Sequence, residues 1–242
     1  MDRASWNLEN VGFTAPRDNV YIWVLGLNKC FDSLSADRKT DDRLTQCAED
    51  FVNQLRGHNF DASYGGVSAQ AKNKSLATEV REWLDKCEEA DCSLILLEEK
   101  DYSKYATIKR LADLELGRYT VCAVGSKIAD RAGVDEDEDK KGSRYQVLSN
   151  LALKLNMKRG GDNHWLEFDA LEAMFGDHAS TKTTMICGAD VTHPGAGGKL
   201  GCPSIACVVG SVDDRFMNYP GSMRLQAGRQ EVSAVSHCIL PG

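Results

Sequence analysis

The chain has 242 residues, 42% hydrophobic and 27% charged, with a formal net charge of −7. It is long and apolar enough for a sizeable core; with no long apolar run it excludes a membrane-spanning helix, and its negative charge excludes coating nucleic acid through overall charge, so any nucleic-acid site has to be a local basic pocket. The first ten residues lack the apolar stretch of a secretory signal, and the nine cysteines show neither CxxC pairs nor the density of a disulfide scaffold; both point to a cytoplasmic protein whose cysteines are small buried hydrophobes.

Val20 to Leu27 is too apolar for a half-exposed strand and fits one buried on both faces. Leu44, Cys47, Ala48, Phe51, Val52 and Leu55 recur at helical spacing and predict a helix over 41–55. Asp61 to Tyr64 reads as a short strand. Ser75 to Cys87 reads as a helix, with Leu76, Val80, Trp83 and Leu84 as its apolar stripe. A second buried strand is expected at 93–97, a helix over 104–116 stopped by Gly117, and a third strand at 120–124. Strands alternating with helices predict an α/β fold, a Rossmann-like parallel sheet with right-handed crossovers. The acidic run Asp135 to Asp139 reads as a solvated surface loop without chemistry. A helix follows over 145–157, ended by Gly160-Gly161; 164–180 reads as irregular, and strands at 184–189, 204–212 and 224–226 begin a second sheet.

Tyr105 and Lys109 stand one helical turn apart, as do Lys154 and Lys158. If these faces converge near strand ends, three ammonium groups and a phenol surround a small volume suited to a terminal phosphate and a stacked base. Spacing alone fits a solvated helix face as well. The segments Tyr105-Ala106-Thr107-Ile108-Lys109-Arg110 and Leu148 to Gly161 resemble the MID domain of eukaryotic Argonautes. That resemblance implies that Tyr105, Lys109, Lys154 and Lys158 hold the 5′-phosphate and first base of a small guide RNA. Where many relatives have Gln this chain has Val121, and Thr120 is the candidate to take its place. The loop Glu98 to Lys104 resembles the family's nucleotide-specificity loop but has a different sequence, so base preference does not carry over.

Further on, the apolar residues Met185, Ile186 and Cys187 are expected to form a strand that delivers Asp190 to its end, where Pro194 and the following glycines turn the chain. Gly188-Ala189-Asp190-Val191-Thr192-His193-Pro194, with its spacing to Tyr219, Arg224, Gln226 and Glu231, resembles the opening of the Argonaute PIWI domain. The likeness points to fungal members. It implies a MID domain over 1–165 and the first part of an RNase H-like PIWI domain over 166–242. Asp190, also the metal ligand, and Glu231 then match two catalytic carboxylates of a site that uses Mg²⁺ in the whole family. The other ligands would lie downstream, so this chain is expected to bind guide RNA and not to act as an enzyme; target RNA and silencing proteins are the family's further partners, and no membrane is implied. His193, Asp213 and Asp214 read as turn residues in preference to ligands. Two other classes stay open: a Rossmann-like domain for a free nucleotide or phosphometabolite, or a protein-interaction fragment. The lack of a GxGxxG loop argues against a dinucleotide.

Overall fold

The computed structural model describes residues 12–13, 19–34, 39–70, 74–99, 101–129, 138–176, 184–195, 201–213 and 215–228. They fall into two compact units, Met1–His164 and Trp165–Gly242. No helix among the described residues is long and apolar enough to cross a membrane.

The first unit runs β1 (Val20–Gly26), α1 (Thr40–Gly57), β2 (Ala62–Ala69), α2 (Leu76–Lys86), β3 (Cys92–Leu97), α3 (Tyr102–Lys109), a π-helical segment (Arg110–Leu116), β4 (Thr120–Val124), α4 (Gly125–Ile128) and α5 (Glu138–Lys158). The four strands form one parallel sheet in the order β2-β1-β3-β4. Every residue of β3 is buried, as a central parallel strand covered on both faces requires. On one face Ile22, Val24 and Leu94 pack with Phe51 of α1 and Leu148 of α5; on the other Leu25 and Ile95 pack with Trp83 of α2 and Ile108 of α3. At the bulge between Ile22 and Trp23, the side chains of Tyr21 and Trp23 lie where a Cβ on Gly65 would stand, so β2 needs a glycine there.

The second unit comprises α6 (Phe168–Phe175), β5 (Cys187–Thr192), β6 (Ser204–Gly210) and β7 (Gly221–Gln226), the strands forming an antiparallel sheet β5-β6-β7. Its core is small: Leu171 and Phe216, with Phe175, Ile186 and Tyr219 against them. Ile205, Met223 and Leu225 are exposed.

The structure differs from the sequence expectations in several places, among them the strands expected at 184–189 and 224–226, which run over Cys187–Thr192 and Gly221–Gln226. The strand at 61–64 extends to Ala69, because Trp23 fills the space its glycines leave. The helix expected over 104–116 begins at Tyr102, capped by Asp101, and widens into a π-helix at Arg110 before Gly117 ends it with φ 62°. The helix expected from 145 begins at Glu138, so the acidic run passes into a helix; a first turn favours acidic residue types. Residues 168–175, expected to be irregular, form α6, since Leu171 and Phe175 lie one turn apart and pack on Phe216 and Tyr219. The cysteines divide: Cys30, Cys47, Cys87 and Cys92 are buried, whereas Cys187 is exposed on β5, whose residues are mostly uncovered.

Candidate nucleic-acid interface

A cavity of about 550 Å³ opens at the carboxyl ends of β3 and β4, where parallel α/β sheets carry their ligands. Tyr102 and Tyr105 of α3, Cys122 in the middle of β4, Lys127 of α4, and Asn150 and Lys154 of α5 line it. Asp101 holds the start of α3 in place: its Oδ1 accepts from the Lys104 backbone N–H at 3.0 Å, and that bond keeps its carboxyl below the usual range.

Of the four residues of the paired one-turn spacings, Tyr105 and Lys154 line the cavity, whereas Lys109 and Lys158 stand behind its lining and act on Cys122 through their charge. Burial pushes the Cys122 thiol up to about 11, with Asp113 raising it too, while the positive charges of Lys109, Lys158 and Lys154 pull it down, so the fields of all three lysines are felt at this one side chain. Lys109 is half-buried. Its Nζ donates to the carbonyl oxygen and to the hydroxyl of Thr120, each at 2.6 Å, and stands 5.8 Å from the centre of the Tyr105 ring. Burial holds its pKa below the ordinary lysine value, and the charge of Lys158 pushes the same way. Lys158 pairs with Asp113 of the π-helical segment at 3.6 Å. Lys127 and Lys154 have no ion-pair partner among the described residues.

Thr120 is fully buried and touches the site through Lys109. Val121 packs into the core on the other face of the sheet. Cys122, not singled out in the sequence, is the β4 residue that lines the cavity; strand alternation from Thr120 was the signal that could have found it. Lys127, Asn150 and Asp113 were also missed, because each reaches the site across elements with no local pattern to mark it.

In the second unit Asp190 is exposed and lies within β5 opposite Cys207, not at the strand end, since the ladder with β6 runs on from Cys187↔Gly210 to Thr192↔Ile205. His193 Nδ1 and Ser204 Oγ share a hydrogen bond of 2.7 Å that ties the turn to β6. The Asp213 carboxylate accepts from the backbone N–H groups of Arg215, Met217 and Asn218, as a turn residue does. Glu231 and Asp214 lie outside the described residues. Among the described residues no three His, Cys, Asp or Glu side chains come together to hold a metal ion. One exposed carboxylate does not by itself fit the two-ion Mg²⁺ site that the resemblance implies.

The sequence model of the Piwi domain matches residues 92–239, more than half of the chain. Three solved structures share the fold. The MID-PIWI domains of Neurospora crassa QDE-2 match at 23% identity over 88% of this chain and 54% of that one, with a TM-score of 0.61. The C-terminal lobe of a budding yeast Argonaute matches at 21% identity over 94% of this chain and 44% of that one, with a TM-score of 0.72. Drosophila Piwi matches at 14% identity over 90% of this chain and 26% of that one, with a TM-score of 0.60. The chain therefore spans about half the length, or less, of the structures it resembles. With the parallel sheet of the first unit and the antiparallel sheet of the second both accounted for, the chain belongs to the Piwi domain family and has the α/β fold of fungal Argonaute MID and PIWI domains.

Proposed function

We propose that this chain anchors the 5′-phosphorylated end of a small guide RNA, as part of an Argonaute acting in RNA silencing in the cytoplasm. The observation that carries the reading is a cavity at strand ends lined by Tyr105, Cys122, Lys127 and Lys154, with Lys109 5.8 Å from the Tyr105 ring and the charges of Lys109 and Lys158 also felt at Cys122. A phosphate there meets three point charges in a partly desolvated setting, where charge-assisted contacts are strong. Lys109 is oriented in advance by its two bonds to Thr120 and spends no rotamer freedom on binding. The Tyr105 ring offers a face on which the first base stacks.

The domain division at 165/166, the pairing with a complementary target RNA and the recruitment of silencing proteins belong to the same reading. Asp190 and Glu231 would hold Mg²⁺ only together with further carboxylates, so we assign this chain binding and not strand cleavage. The test compares 5′-phosphorylated with 5′-hydroxyl RNA of one sequence, and with free nucleoside monophosphates, by fluorescence anisotropy on the whole chain. A strong preference for 5′-phosphorylated RNA supports anchoring. Equal binding of both RNAs refutes it, and tighter binding of the free nucleotides supports a mononucleotide domain instead.

A further inference from the structure

The strand order β2-β1-β3-β4 puts β2 at the edge of the sheet farthest from β4, paired only with β1 among the described residues. Asp61 turns its carbonyl oxygen to the Val20 N–H at 2.7 Å, so by strand alternation the backbone groups of Ala62 and Tyr64 point away from the sheet. Such an edge accepts a further strand unless it is blunted. Its two ends are blunted: Arg56 Nε of α1 donates to the Ala62 carbonyl oxygen at 3.0 Å, and Ser68 Oγ donates to that of Ala69 at 3.4 Å. Tyr64, between them, has no such cover among the described residues.

Beside this edge lies a groove of about 350 Å³, lined by Glu49, Val52, Asn53 and Arg56 of α1 and by Ser63 and Tyr64 of β2. Buried Val52 gives it an apolar base, and opposite charges stand at its two ends. Glu49 and Arg56 are two helical turns apart on α1, about 10 Å along its axis. Neither has an ion-pair partner among the described residues. Glu49 Oε1 accepts from the Tyr64 hydroxyl at 3.4 Å, which leaves Oε2 open; the bond to Ala62 holds Arg56 by Nε, which leaves its two terminal amino groups for a carboxylate. Because Arg56 stands by Ala62 and Glu49 by Tyr64, the path from the acidic to the basic end runs opposite to β2. An added antiparallel strand that follows this path meets Glu49 first and Arg56 last.

We propose that this groove binds the C-terminal segment of a partner protein as a strand added antiparallel to β2, with the terminal carboxylate on Arg56 and a lysine or arginine two residues before the end on Glu49. Two extended residues span about 7 Å and the carboxylate lies beyond the last Cα, a separation that the two long side chains of α1 bridge. The experiment titrates the whole chain into a hexapeptide labelled with fluorescein at its amino end, Thr-Val-Thr-Lys-Val-Thr with a free carboxyl end, and follows anisotropy. Amidating that end, or replacing the peptide's lysine by glutamate, should each weaken binding about fivefold, the upper end for an exposed ion pair. Glu49→Lys should reverse the preference, so that the glutamate peptide binds better, and its unchanged melting temperature confirms that this surface variant folds. Arg56→Gln, which also loses the bond to Ala62, is read by the ratio of acid to amide peptide within that one variant, which should fall to about one. N-methylation of one alternate set of peptide amides should abolish binding and of the other set spare it, since only one edge of an added strand faces β2. No saturable binding up to millimolar chain, a lysine preference that survives Glu49→Lys, or indifference to both N-methylation patterns would each overturn the proposal. Sedimentation of the chain alone tests the rival occupant: a dimer that Glu49→Lys dissolves and the peptide does not would put a second copy in the groove and overturn the proposal as well.

Discussion

Replacing Lys109 by methionine keeps most of the side-chain volume and removes a half-buried charge behind the cavity lining. The ammonium has three N–H groups, and the carbonyl and hydroxyl of Thr120 occupy two of them. One donor and the full charge remain for a phosphate, so the variant should lose one charge-assisted contact, about 1.5–3 kcal/mol. At about 1.4 kcal/mol per factor of ten, affinity for 5′-phosphorylated RNA should fall at least tenfold, with little change for 5′-hydroxyl RNA. Folding stability should move far less, because losing the bonds to Thr120 is offset by relieving the burial that depresses Lys109. Lys158→Ala provides the internal comparison: its ammonium already pairs with Asp113 at 3.6 Å, at side-chain exposures of 32% and 37%, and a phosphate must compete for it. Its loss should be the smaller of the two. Anisotropy titrations of both RNAs, with thermal denaturation alongside, measure all of this. If Lys109→Met weakens the two RNAs equally, Lys109 does not meet the terminal phosphate and the reasoning fails.

Asp113→Asn frees Lys158 and should tighten binding of 5′-phosphorylated RNA severalfold, since an exposed pair of this kind is worth about 0–1 kcal/mol; weaker binding would show that Asp113 orients Lys158 and does not compete for it. Tyr105→Phe should keep most of the affinity and Tyr105→Ala should lose it, as stacking demands, whereas equal impairment would put the hydroxyl in charge. Burial depresses Lys109 in the folded chain, so the folded state gives up this proton before the unfolded state does. Its contribution to stability is therefore least favourable below the depressed pKa and improves as pH rises toward the unfolded value of 10.5, while the preference for 5′-phosphate fades over the same interval. A Lys109→Arg variant that folds should keep its preference there, and an identical pH profile for the two would exclude Lys109 as the titrating group. The Cys122 thiol, pushed up to about 11, should alkylate more slowly at neutral pH than the exposed Cys187; peptide mapping by mass spectrometry reads the order directly.

Much of the first unit was legible because its pattern has a simple cause. Runs such as Val20 to Leu27 and Ser93 to Leu97 are apolar on both sides because helices cover both faces of the sheet, and Ser75 announces α2 by capping it through Thr78 N–H. The second unit was harder to read. Its strands present mostly uncovered residues, so hydrophobicity marks their positions weakly, and the register of β5 is set by pairing with β6. At the site, the spacings of Tyr105/Lys109 and Lys154/Lys158 fixed which residues share a helix face but not whether that face meets solvent or a cavity; the family resemblance supplied that. Cys122, Asn150 and Asp113 were not assigned because their roles arise from contacts between elements distant in sequence.

The π-helical segment has a consequence for how this chain tolerates change in length. Lys109 closes the α-helical turn and Asp113 lies in the wider winding that follows, so the two charges that frame Lys158 sit on either side of a change in pitch. A π-helix holds one more residue per hydrogen-bonded loop than an α-helix. Deleting Leu114, 81% exposed and absent from the packed clusters, would let the segment rewind at the ordinary pitch at little cost in packing. The rewound helix would turn Asp113 away from Lys158 and re-aim the approach to Thr120. A one-residue gap at this point thus tunes the charge balance of the cavity without altering any side chain that lines it, whereas a gap within Tyr102–Lys109 would shift Tyr105 and Lys109 out of their common face.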